Sequence, residues 1–506
     1  MEKEVLNREL SIPLHYQLMV ILKKRVEDGV YPVDSKIPNE MELCEEFQVS
    51  RPTVRKAVGE LVEAGMLMKV HPKGTFVCRH GEKKMPLPPE SNVEKEASPA
   101  ASRDTLTVSL ESPLMDLLLY QAVEEYEYHA GTHISIQPKG PWQNGFSDVV
   151  NAIIEDKVPD VFLVSNVAVS TFAQMGIIAP FDSFLGEERL ASIRRTEGGA
   201  PNPYFYQGAL FGYPFFSETR LMYYRKDYFE EEGLPYPSKG WTHEDFLALC
   251  RRLTHPERNR WGYAFPDSLD GDTLQTLMTW IMQRGGEIYR MRGGRVEPAT
   301  DEPQFAEAFQ WVCDLVLRHR VCPSTEKSEN YLSICTRFLD GEIAMMIGLP
   351  SLSLILDSRL PGRWGVCELP MGSAHNHPYR GGMPLCMSSK CKNPQLAYDF
   401  IRYLTSRPVL FPFAKRVGVL PPLELYSREE ILSGTSPELT PFALALPESV
   451  SWDRFGVHGS EGSEMEVWQM PLQHTLRRVL KGQLSCEYAV KYISLSIRNI
   501  LKKSVL

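Results

Sequence analysis

The chain has 506 residues, of which 43% are hydrophobic and 24% charged, with a formal net charge of -9. That length exceeds what one hydrophobic core sustains, so two or more folding units are expected, of globular rather than disordered composition. The acidic total excludes nucleic-acid binding spread over the whole surface but leaves room for a local basic patch.

The opening residues, MEKEVLNREL, are charged and lack the apolar stretch of a secretory signal. Nowhere do about 18 apolar residues follow one another, so no membrane span is expected. Ten cysteines are scattered without a C-x-x-C pair, which suits free thiols in a reducing cytosol better than disulfides or zinc. The expectation is a cytoplasmic protein.

Ser11 and Pro13 open a first helix carrying Leu14, Leu18, Ile21, Leu22 and Val26 on one face, closed by Gly29 and Pro32. Asn39 with Glu42 three residues on makes a capping box for a second helix that buries Leu43 and Phe47. Ser50 caps a third, whose Val54, Ala57, Val58, Leu61 and Val62 follow helical spacing up to Gly65. Two apolar runs, Met66 to Val70 and Thr75 to Cys78, flank His71-Pro72-Lys73-Gly74 and predict a hairpin with a basic tip. Three helices and a β-ribbon over residues 1–80 make an α+β winged helix-turn-helix.

Charge supports that reading locally. From Gln48 to His80 there are six Lys/Arg against two acids, a net of +4, whereas residues 1–80 as a whole balance at twelve and twelve. The excess falls on the third helix and the hairpin, where phosphate contact needs it. The N-terminus of such a helix is the end that enters a major groove, and here it carries Arg51 and Arg55 one turn apart, with Thr53 and Lys56.

Four blocks in order carry a resemblance: Pro13-Leu14-His15-Tyr16-Gln17-Leu18, Ile37 to Leu43, Val49-Ser50-Arg51-Pro52-Thr53-Val54-Arg55-Lys56-Ala57, and Lys73-Gly74-Thr75-Phe76-Val77. Residues 11–78 resemble the GntR-family DNA-binding domain. The resemblance implies DNA contacts from Ser50, Arg51, Thr53 and Arg55, and a wing contact from Lys73 and Gly74; Lys56 and Thr75 are adjoining candidates. Met41 stands where that family usually has a DNA-contacting arginine, and Pro72 where the wing usually has glycine.

Residues 81–104 are polar, charged and proline-containing, with no traceable period, and are read as a flexible linker. From Thr105 strands and helices alternate. Leu106, Val108 and Leu110 form a strand, Leu117, Leu118 and Val123 a helix, and Ile134 and Ile136 the next strand. Val149 to Ile154 form another helix, and Val161 to Val164 a buried strand. Repeated β-α-β predicts a parallel sheet with ligands at the strand carboxyl ends, here Glu111-Ser112, Pro141-Trp142 and Ser165-Asn166.

Later blocks extend the pattern: Gly176 to Phe181, Gly208 to Pro214, Tyr223 to Asp227, Gly240 to Phe246, Phe338 to Met346, and Gly381-Gly382 ahead of Asn393 to Phe400. With Pro159-Asp160-Val161 they make residues 105–506 similar to the family 1 extracellular solute-binding proteins, which capture sugars for ABC importers. The resemblance implies a two-lobed α/β periplasmic-binding-protein-like (type II) fold. Residues 105–213 and 381–422 would form one lobe, and 214–380 and 423–506 the other.

Aromatic planes stack on sugar faces, so Trp142, Phe215, Phe216, Trp280 and Tyr379 are candidate cleft residues. Gly381-Gly382-Met383 would let backbone approach a ligand; Glu111, Ser112, Ser165, Asn166 and Glu218 are candidate hydroxyl partners. No catalytic residue, metal or cofactor is assigned: G-x-S-x-G and H-E-x-x-H are missing, and His375-Asn376-His377 lacks a third ligand.

The expectation is therefore a DNA-binding transcription regulator, homodimeric on operator DNA, controlled by a sugar or oligosaccharide in a cleft. Two alternatives compete with it. A GntR-type regulator with an aminotransferase-like, pyridoxal-phosphate-binding domain needs a Schiff-base lysine context that is not found here, and an ABC-importer receptor needs an export signal.

Overall fold

The computed structural model describes residues 18–19, 21–22, 25–26, 30–32, 35–63, 66–70, 74–77, 105–110, 113–136, 158–194, 202–269, 271–292, 295–324, 327–451 and 465–503. The chain divides into two compact units, residues 1–99 and 100–506. The expected linker, the start of the first helix, the helix about residues 149–154, and Lys73, Glu111, Ser112 and Trp142 lie outside the described residues.

In the first unit, Leu18 and Leu22 lie on a helical segment and are buried with Leu43 and Phe47 of α1 (Glu40–Phe47). The Asn39 side chain accepts from the backbone N–H of Met41 and Glu42, and Glu42 accepts from Asn39 N–H at 2.7 Å, closing the capping box. Gln48 turns left-handed at φ 53°, directing the chain into α2 (Arg51–Glu63). Val54, Ala57, Val58 and Leu61 line the buried face of α2. The wing is an antiparallel pair, β1 (Leu67–Val70) and β2 (Gly74–Val77), and the 35–37 segment bonds back onto it through Ile37 N–H to Thr75 O and Val77 N–H to Ser35 O.

The second unit contains, in chain order, β3 (Thr105–Ser109), β4 (His133–Ile136), β5 (Val161–Leu163), β6 (Tyr213–Thr219), β7 (Leu221–Arg225), β8 (Trp261–Tyr263), β9 (Ile343–Gly348), β10 (Trp364–Cys367), β11 (Tyr379–Met387) and β12 (Val450–Ser451). One sheet has the order β12-β11-β5-β3-β4, with β6 also paired to β11; β3 is parallel to β4 and β5. The other has the order β8-β9-β7-β10. All six residues of β9 (IAMMIG) are buried, as a strand covered on both faces requires.

Each sheet has its own core. Leu106, Val108, Phe181, Tyr213, Phe215 and Phe413 belong to the first, and Phe246, Tyr263, Trp280, Phe309 and Ile347 to the second. The chain crosses between sheets later than residues 213 and 214, where sequence placed the boundary. Strand β6 stays hydrogen-bonded to β11 through Thr219, and β7 begins at Leu221, so Arg220 is the crossing residue. The return falls between Cys367 and Tyr379, because β11 already pairs with β12 at Tyr379.

Candidate functional site

On the first unit, the Val54-Ala57-Val58-Leu61 stripe of α2 is buried, while Arg51 and Arg55 on its flank stay exposed. Arg51 is exposed at its first turn, and Ser50, just ahead of the helix, has its hydroxyl 2.8 Å from that of Thr53. Arg55 is 63% exposed and its Nε pairs with Glu40 at 3.0 Å, so this guanidinium is steered by a carboxylate yet accessible. Thr75 is half-buried on β2, beside Gly74. Met41, at the position where sequence marked a departure, is 56% exposed on α1. These residues present one cationic helix end beside a wing, an arrangement suited to a polyanionic groove.

On the second unit, the crossing between the sheets gathers the polar groups. Glu218 and Gly381 are register partners, as are Ser217 and Gly382, and Phe216 and Met383. A Cβ on Gly381 would lie 2.8 Å from Glu218 Oε1, and one on Gly382 would lie 2.8 Å from Phe216 O and 3.0 Å from the Tyr204 hydroxyl. Both glycines are thus required by close approach. Leu420 locks the strand from the other side, exchanging two backbone hydrogen bonds with Ser217 at 2.8 and 2.9 Å. Thr219 Oγ1 donates to Tyr379 O at 3.0 Å.

Arg220 is 1% exposed, and its Nη2 reaches both Asp272 and Gln275 of α3 (Gly271–Gln283). Its guanidinium stands 5.5 Å from the Tyr331 ring centroid. Burial alone would weaken its hold on the proton, but Asp272 and Glu218 more than offset this and the guanidinium stays charged. Burial raises the Glu218 pKa from its ordinary value, with Arg220 pulling against it and Asp272 adding to it. A second buried couple lies nearby in the chain: Arg380 is 8% and Glu424 6% exposed, and burial raises the Glu424 pKa against the pull of Arg380.

Sequence reasoning had singled out Glu218, Phe216, Tyr379, Gly381, Gly382 and Met383, and the β6–β11 pairing brings these together. Ser165 is exposed and Asn166 buried at the turn after β5. Two aromatics belong elsewhere. Trp280, expected in the cleft, is wholly buried in the second core, with Nε1 donating to the Tyr263 hydroxyl at 3.0 Å and its ring packed on Phe246 and Trp311. Phe215 is wholly buried in the first core and stacks on Phe413, and Phe216, 4% exposed, packs in the same core with its ring 5.7 Å from that of Phe215.

Arg220, Asp272, Arg380, Glu424 and Tyr204 were missed. A usable signal existed for Arg220: one cation inside the run Tyr213 to Tyr224, otherwise largely apolar, must be buried and paired. Among the described residues no group of three His, Cys, Asp or Glu could hold a metal ion. No described helix is long and apolar enough to cross a membrane.

Residues 113–409 match the family model for bacterial extracellular solute-binding proteins, and residues 16–77 that for bacterial regulatory proteins of the gntR family. Neither is an enzyme family. Over 73 residues the chain is 48% identical to the uncharacterized HTH-type transcriptional regulator YurK of Bacillus subtilis, covering 14% of this chain and 30% of that one. Over 318 residues it is 23% identical to a maltotriose-binding protein of Pyrococcus abyssi, covering 61% of this chain and 64% of that one. A solved solute-binding protein of an ABC transporter from Thermotoga lettingae, bound with alpha-D-tagatose, superimposes with a TM-score of 0.66 at 21% identity. That likeness covers 79% of this chain and 100% of the other, and it concerns the fold alone. The chain thus spans less than two thirds of either relative's length.

Proposed function

Because the chain belongs to the bacterial extracellular solute-binding protein family and carries a gntR-type helix-turn-helix ahead of that domain, we propose that it is a transcription regulator whose effector is a sugar or oligosaccharide. The observation that carries this reading is the coexistence, in one chain, of an exposed Arg51-Arg55 recognition helix and a polar interlobe crossing built on Glu218 and two side-chain-free residues, Gly381 and Gly382. The first is fitted to DNA phosphates and base edges. The second is fitted to a small polyhydroxylated molecule.

In this reading Ser50, Arg51, Thr53, Arg55, Lys56, Lys73, Gly74 and Thr75 face operator DNA. Glu218 accepts from ligand hydroxyls, Ser165 and Asn166 add polar contacts, and Phe216, Tyr379 and Met383 supply apolar surface beside Gly381 and Gly382. The site binds its ligand without converting it. A ligand touching both lobes favours a closed arrangement by its differential affinity for the two states, and closure alters the affinity of the paired helices for DNA. Two copies of the chain act together, since one helix-turn-helix reads few base pairs and pairing sets two recognition helices on successive turns of the duplex.

The test is thermal melting of the full chain against a panel of mono- and oligosaccharides that includes tagatose, maltose and maltotriose. Selective stabilisation by one sugar, reproduced by calorimetric titration, is expected. A panel with no stabilising member, or a sugar that is chemically altered on incubation, would count against the reading.

A further inference from the structure

We infer that the exposed face of α4 (Cys486–Lys503) is the two-fold contact by which one copy of this chain docks on a second. This rests on the dimeric regulator proposed above and names its surface. One side of α4 is sealed into the second core by Cys486, Ala489, Ile493 and Ile497. The side away from it carries Tyr488, 62% exposed, Tyr492, 49% exposed, and Leu495, 58% exposed. At about 100° and 1.5 Å per residue these three fall within an arc of about 60° over about 10 Å of helix.

Single exposed apolar residues are ordinary, but two tyrosines and a leucine on successive turns make a continuous apolar stripe on the side of the helix turned away from the core. Tyrosine is also the residue type that interface cores favour.

The stripe is complementary to itself. With two copies of α4 antiparallel about a two-fold axis between Lys491 and Tyr492, Tyr488 of each copy lies over the partner's Leu495, and the two Tyr492 side chains flank the axis. Antiparallel pairing also brings the same flank of each helix together. That flank is balanced: Lys491 is held by Glu487 at 2.7 Å, and Arg498 by Asp301. Glu487 then falls opposite the partner's Arg498, and Lys491, nearest the axis, keeps its own counter-charge. The face meets a copy of itself without uncompensated like charge, which favours a second copy over an unrelated partner.

The experiment uses the full chain carrying Tyr492→Cys, with Tyr236→Cys, a comparably exposed tyrosine outside α4, as the control. Mild oxidation by copper-phenanthroline should convert most of the Tyr492→Cys chain to a covalent dimer on a non-reducing gel, and little of the control. The Tyr488→Glu, Tyr492→Glu double variant should sediment at half the wild-type mass with unchanged circular dichroism; Leu495→Glu provides a second disruption if that variant misfolds. Cross-linking no greater than the control, or charged variants that sediment as the wild-type dimer, would overturn the assignment. A monomeric wild type would overturn it together with the dimeric part of the regulator reading. The sugar-melting test above does not depend on α4, so failure of the surface and failure of the sensor reading are separable.

Discussion

Glu218 and Gly381 face each other across the β6–β11 pairing so closely that a methyl group on residue 381 would stand 2.8 Å from Glu218 Oε1 and 3.1 Å from the Tyr379 ring. A Gly381→Ala chain must move that carboxylate or separate the strands. The expected result is a loss of at least about tenfold in affinity for the stabilising sugar, as for Glu218→Gln, since about 1.4 kcal/mol of misplaced hydrogen bonding suffices. Isothermal titration of both variants checks it. Wild-type affinity in Gly381→Ala would remove Glu218 from the site.

Arg220 anchors the crossing between the lobes. Replacing it by Met strips Asp272 and Gln275 of a shared donor and leaves Glu218 without its nearest cation. Breaking a buried charge cluster from one side costs about 3–5 kcal/mol, so a large drop in melting temperature is expected. Because Asp272 is 36% exposed, Asp272→Asn should cost much less. Equal melting of the two variants would contradict this.

For the recognition helix, Arg51→Ala should weaken operator binding by about 1–3 kcal/mol if it makes a bidentate base contact. Arg55→Ala should lower affinity for all sequences alike and reduce the salt slope by about one. Fluorescence anisotropy at several salt concentrations separates the two effects. A double variant that binds like wild type would remove α2 from the DNA interface.

Acid should loosen the second lobe through His243. Its ring is 2% exposed, stacked on Trp311 at 4.6 Å and hydrogen-bonded to Gln283, and burial pushes its pKa down to about 4 from 6.5. Between those values the unfolded chain binds more protons than the folded one. Stability is therefore greatest above pH 6.5 and falls as pH drops toward 4, by roughly 3 kcal/mol in all. Urea unfolding across that range should show the slope in wild type and a flatter profile in His243→Gln.

Linkage supplies the test of regulation itself. If a sugar changes operator affinity by some factor, operator must change sugar affinity by the same factor. Titrating sugar with and without saturating operator in one buffer measures both. Identical sugar affinities in the two titrations would mean that the units are uncoupled.

Local chemistry was enough to read the recognition helix. The Asn39-Glu42 box and the Val54-to-Leu61 stripe are contacts between neighbours in sequence, and the structure reproduces both, with the helix starting directly after Ser50. The alternation that identified Val108 and the continuous apolar run that identified Val161 as strand residues are equally local, and both lie in the first sheet. The Gly381-Gly382 pair stood out because glycine side by side is costly unless something must come close.

Contacts distant in sequence were decided only by the tertiary structure. Whether an aromatic residue faces a cleft or a core depends on partners distant along the chain. Trp280 is claimed by Tyr263, Phe246 and Trp311, and Phe215 by Phe413 and by Phe216 of the same core. Arg220 meets Asp272 and Tyr331 only after the chain has built both lobes. Sequence periodicity shows that a side chain will be buried; which surface buries it is set by long-range pairing of strands, and no local pattern encodes that.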